Sequence, residues 1–132
     1  MPGIDLVDGD LLNLIEQEII DQYEFLLQAP PIRTKGKLRC LFYDGAILEI
    51  RHPTPEEYSF HYFFGELIER IDTSPYHPNL PTFPNHHHHL TETNILEDLI
   101  TIFPGDPVLN TRNFIDYILT NYYPQDSEDN GI

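Results

Sequence analysis

The chemistry open to this sequence is concentrated in its imidazoles and in the charged residues that precede them. Four consecutive histidines, His86 to His89, follow Pro84-Asn85 in the stretch TFPNHHHHLTE, and His77 lies shortly upstream. His61 sits inside EYSFHYFF, Glu49 and Arg51 inside ILEIR, and Arg70 and Asp72 inside ERID. Imidazole titrates near neutrality, so one histidine can take a proton where another gives one. Cutting RNA without a metal requires a base for the 2′-hydroxyl, an acid for the leaving oxygen and a cation for the charge developing at phosphorus. His61, a later histidine such as His77, His86 or His88, and Arg70 have the chemistry for these roles, with Asp72 to orient a histidine and Glu49 on the strand facing His61.

A metal site is the competing chemistry. Imidazole is the commonest neutral ligand of zinc, copper and nickel, and His77 with two of the four consecutive histidines and Asp72 would fill a four-coordinate shell. Adjacent residues of an extended segment point to opposite sides, so His86 would ligate with His88, or His87 with His89. Each residue also has a plainer role. His61 fits a hydrogen-bonded core histidine, Arg70 and Asp72 an ordinary same-face ion pair, Glu49 the neutralisation of a basic strand, and the histidine run a solvated loop.

Composition limits the partners. The chain has 132 residues, with 22 acidic against 7 basic side chains and a formal charge of -15. Such a charge repels a phosphate backbone unless the cations gather in one patch, so RNA binding by the isolated chain is expected to be weak. It suits docking on a basic protein, and a non-catalytic acidic interaction subunit is therefore an alternative reading. Arg33, Lys35, Lys37 and Arg39 alternate, and on a single strand they would share one face. The lone Cys40 has no intramolecular disulfide partner. The acidic N-terminus lacks a basic leader region and no apolar run reaches the length of a membrane span, so the expectation is a cytoplasmic protein away from membranes. G-x-G-x-x-G, P-loop and G-x-S-x-G patterns are absent.

The elements that must position these residues are legible in their periods. Leu11, Leu12, Ile15, Ile19, Tyr23 and Leu26 recur at helical spacing, which predicts a helix over Leu11 to Gln28 after the capping residues Asp8-Gly9-Asp10 and before Ala29-Pro30-Pro31. Strands are expected from about Arg33 to Tyr43, over AILEIRH, over EYSFHYFF and over LIERID, with Asp44-Gly45 and Gly65-Glu66 as turns. Thr73 to Leu90, rich in proline and histidine, predicts a long structured loop. TNILEDLITIF is ambiguous between strand and helix, whereas NTRNFIDYILTNYY predicts a final helix, Thr111 to Tyr123, capped by Asn110 or Thr111. The expected fold is α+β: a single domain over residues 1–124 with a four-stranded antiparallel meander packed by N- and C-terminal helices. An acidic, disordered tail is expected over residues 125–132.

The order of these pieces resembles the TumE-like toxin family of bacterial toxin–antitoxin systems. The resemblance is carried by Asp44-Gly45, Glu49, Tyr58-Ser59-Phe60-His61-Tyr62, Arg70-Ile71-Asp72, Pro75-Tyr76-His77 and Pro84-Asn85-His86-His87-His88-His89. They follow the family's D-G hairpin, glutamate strand, Y-S-Y-H-Y strand, R-Y-D strand end, P-H-H step and P-H-H-x-H step. Isoleucine replaces the tyrosine of R-Y-D, and the first P-H-H has lost one histidine. The N-terminal helix and Ile102 to Asn110 look like local elaborations. The resemblance implies a small α+β domain that works with an antitoxin and whose toxicity acts through RNA. No cofactor is required on that reading, although the histidines would accept a divalent transition metal.

Overall fold

Alternation of apolar and polar residues through the middle of the chain builds one antiparallel sheet whose strands lie side by side in chain order. The computed structural model describes residues 8–124, with side chains from Leu11 onward. The strands are β1 (Ile32–Thr34), β2 (Lys37–Leu41), β3 (Ile47–Thr54), β4 (Glu57–Phe64), β5 (Leu67–Asp72), β6 (His86–Leu90) and β7 (Ile95–Glu97). Each pairs with the next, giving a seven-stranded meander where four strands were expected. The antiparallel α+β class holds; the strand count does not.

Two local causes account for the added strands. The basic segment is not one strand from Arg33 to Tyr43: Gly36 adopts φ 63, and Lys35-Gly36 turns the chain between β1 and β2. This separates Arg33 from Lys37 and Arg39, so the four cations do not share one strand. The segment expected as a loop up to Leu90 becomes a strand at His86, because β5 would otherwise present an unpaired edge. Ile71 pairs with His87 and Asp72 with His86 across that edge. Ile95–Glu97 then adds β7, resolving the ambiguous segment as a short strand.

The helices are α1 (Asp8–Tyr23) and α2 (Pro107–Tyr122). Helix α1 is shorter than the expected span to Gln28; a 3-10 turn, Glu24–Leu26, follows it and Leu27 bridges Phe42. Capping by Asp8-Gly9-Asp10 and the tail 125–132 lie outside the described side chains and residues. Helix α2 is capped by Asp106, whose carboxylate accepts from the backbone N–H groups of Val108 and Leu109 at 3.0 Å, and not by Asn110 or Thr111. Those two are buried inside the helix, and Asn110 bonds both the N–H and the carbonyl of Ile102. Gly105 permits this join, since a Cβ there would lie 2.6 Å from Asn110 Nδ2 and 2.7 Å from Tyr58 Cε2.

Both helices contribute to one core. Leu12, Ile15 and Ile19 of α1 and Phe114, Ile115 and Ile118 of α2 join Leu38, Cys40, Leu48, Ile50, Phe60, Tyr62 and Ile71 in a single buried cluster. The Phe60 and Phe114 rings stack at 5.4 Å. Cross-strand partners share a face, so this register leaves the polar alternates on the other side of the sheet. Among the described residues no helix is long and apolar enough to cross a membrane.

Candidate functional site

The polar alternates fall into two adjacent rows on the face opposite the helices. Arg39 pairs with Glu49, Glu49 with His61, His61 with Arg70 and Arg70 with His88. In the neighbouring row Arg51 pairs with Ser59, Ser59 with Asp72, Asp72 with His86 and His86 with Glu97. A concavity of about 260 Å³ on this face is lined by Lys37, Glu49, Arg51, Ser59, His61, Arg70, Asp72 and Ser74. Seven residues of the chain are Lys or Arg, and three of them line it, although the chain as a whole is strongly acidic.

Within the rows Glu49, Arg70 and Asp72 are paired, but imidazole nitrogens are left over. Glu49 takes Arg39 at 3.0 Å and Lys37 at 3.4 Å, so its neutralising role is realised. Arg70 bonds Asp72 through Nε at 3.0 Å and reaches Glu92 at 3.2 Å, making the expected same-face ion pair part of a wider network. His61 is half-buried, and its Nε2 is shielded from solvent without a hydrogen-bond partner. Burial first, and then the Arg70 charge, hold its pKa below the usual histidine value, which keeps it neutral and able to accept a proton.

At the end of the rows Asp72 meets two buried histidines. His86 Nε2 is 3.0 Å from Asp72 Oδ1 and His88 Nε2 is 3.6 Å from Oδ2. Their other ring nitrogens face backbone carbonyls, His86 Nδ1 that of Pro84 at 3.2 Å and His88 Nδ1 that of Glu92 at 2.8 Å. The Asp72 carboxyl also accepts from the Ser74 N–H at 2.9 Å. Burial alone would raise its pKa; donors and positive charge around it reverse this and hold it far below the carboxylate range. His77 comes from the preceding loop and packs edge-on against His86, ring centres 4.7 Å apart.

The consecutive histidines are divided by the strand, as the alternation rule requires. His87 and His89 point to the helix side and surround Glu69, which is fully buried. Glu69 is held by His87 Nε2 at 2.6 Å, His89 Nδ1 at 3.0 Å, the Tyr117 hydroxyl at 3.3 Å and the Tyr122 hydroxyl. Glu69 was not among the sequence candidates; a carboxylate on the apolar face of a strand, alternating with Ile71, was the available signal. His52 was also missed. It is fully buried, stacks on Tyr58 at 4.7 Å, and neither ring nitrogen has a partner among the described residues.

The expected site is therefore assembled in part. His61, Arg70, Asp72, His86, His88 and Glu49 share one sheet face, His77 abuts it through His86, and His87 and His89 belong to a separate cluster. Arg51, named with Glu49 in the sequence, also lines the concavity, and the structure adds Lys37, Ser59 and Ser74. The family model described as toxin TumE matches residues 10–120, which takes in α1 and the segment Ile102 to Asn110 that had looked like elaborations. No match was found among curated proteins or solved structures. With most of its length matched, the chain belongs to the TumE toxin family.

Proposed function

We propose that this chain is the toxin of a toxin–antitoxin pair and that it acts on RNA at the open face of its sheet. The observation that carries the reading is the gathering of Lys37, Arg51 and Arg70 around His61 in a chain of net charge -15. Cations so concentrated hold a phosphate where scattered ones would not. His61, neutral and with a free Nε2, takes the 2′-hydroxyl proton, and Arg70 stabilises the charge that develops on the phosphate oxygens. The group Asp72, His86 and His88 lies beside this pair, where the leaving oxygen needs a proton or another electrophile. Glu49, committed to Lys37 and Arg39, shapes the patch. The acidic remainder of the surface suits a basic antitoxin.

The test is inducible expression in a bacterial host with RNA integrity followed over time. His61→Ala and Arg70→Ala should each reduce RNA loss by about 10²–10⁴-fold, the usual contribution of a positioned proton-transfer or charge-stabilising group. Circular dichroism should show both variants folded. RNA loss by His61→Ala at the wild-type rate would refute the assignment.

A further inference from the structure

We propose that Asp72, His86 and His88 form a binding site for one divalent transition-metal ion, zinc foremost, beside His61 on the open face of the sheet. The argument starts from proton positions. A backbone carbonyl only accepts, so the contacts of His86 Nδ1 with Pro84 and of His88 Nδ1 with Glu92 require the proton of each ring to sit on Nδ1. Wherever the rings are neutral, Nε2 is then a bare lone pair. Both lone pairs face the same ionised carboxylate, at 3.0 Å and 3.6 Å. Acceptor against acceptor is repulsive, and what relieves it is either a second proton on each ring or a metal ion between the rings and the carboxylate.

His88 supplies the second observation. Its side chain is only 8 % exposed, and its Nε2 is aimed into the cluster with no hydrogen-bond partner. One ligand atom from each of the three residues lies within 4.8 Å of the others, close enough for small side-chain shifts to bring all three onto one ion with bonds of about 2.0–2.1 Å. Backbone carbonyls holding the remote Nδ1–H groups are the outer-shell arrangement that fixes a ligating histidine. Two imidazoles and a carboxylate suit a borderline ion such as zinc. Arg70 on Asp72 Oδ2 opposes a cation, whereas Glu92, 3.5 Å from His88 Nδ1, favours one.

The cluster on the other face is the internal contrast. Glu69, His87 and His89 are also within ligand reach of one another, yet every contact to Glu69 there is a hydrogen bond from a nitrogen or hydroxyl. That cluster is already satisfied. An ion at Asp72 would act as a Lewis acid toward a phosphate held by the neighbouring cations, which joins the site to the proposed reaction, but the binding inference stands without that reaction.

The experiment uses the untagged full chain. Native mass spectrometry and calorimetric zinc titration should show about one ion per chain, with affinity falling at least about tenfold in His86→Gln and in His88→Gln. His89→Gln and His61→Ala should bind zinc as the wild type does. On the wild type itself, histidine nitrogen NMR should show the Nε2 resonances of His86 and His88 moving on zinc addition, a readout independent of variant folding. Absence of bound zinc, zinc binding unaltered by both glutamine variants, or two doubly protonated rings that ignore zinc would each overturn the site. RNA loss that persists in a zinc-competent His61→Ala would sink the proposed reaction and leave the metal site standing. Loss of toxicity in His61→Ala, with no zinc bound by any variant, would do the reverse.

Discussion

At the scale of single residues, burial decides what each imidazole can be. His52 shows this away from the site. Enclosed among Tyr58, Phe60 and the Gly105 backbone, it has its pKa pushed down to about 4, chiefly by burial. The folded state therefore holds a neutral ring, while the unfolded chain takes up a proton once the pH drops below 6.5, the ordinary value. The resulting stability is complete above pH 6.5 and is lost progressively as the pH falls toward about 4. Its ceiling is on the order of 3 kcal/mol. Denaturant unfolding at several pH values should show His52→Leu with a shallower loss of stability than the wild type across that window. Parallel curves would mean that the ring takes up its proton as readily in the fold as in the unfolded chain.

At the scale of elements, the ends of α2 and β6 matter more than their middles. The first turn of α2 has free backbone N–H groups, and Asp106 satisfies two of them. Asp106→Ala should cost about 1 kcal/mol, read as a fall in Tm of roughly 3–5 °C. A shift within error would show that Gly105 and Asn110 alone define the helix start. Strand β6 is set by pairing instead of by propensity. Histidine has little preference for strand, but the edge of β5 and the short β7 enclose it on both sides.

At the scale of the whole molecule, a sheet with one covered face sorts the charges. Helices take the apolar side, and most of the few cations collect on the other, inside an envelope that repels nucleic acid. Binding to single-stranded RNA should consequently be weak for the isolated chain and depend on few contacts. If three cations touch phosphate, the logarithm of the affinity should fall with the logarithm of salt with a slope of about -2. Fluorescence anisotropy with a labelled random RNA measures it. Tight binding at near-physiological salt, or no salt dependence, would contradict the patch.

Periodicity in the sequence was enough for α1, α2, β3, β4 and β5, because each has a long apolar face whose spacing is set by local geometry. It was also enough to divide His86 and His88 from His87 and His89, since side chains alternate along any extended segment. The family resemblance carried by Tyr58 to Tyr62, Arg70 to Asp72 and the histidine run was legible for the same reason: ordered motifs need no structure. The turn at Lys35-Gly36, the strand at β6 and the cluster at Glu69 required the tertiary structure. Each depends on a partner distant in sequence: the register of β2 on β3, the edge of β5, and the two tyrosines of α2 that approach Glu69 from above. Local sequence carries the period of a strand but not its neighbour, and it was the neighbours that put His61, Arg70 and His88 in one row.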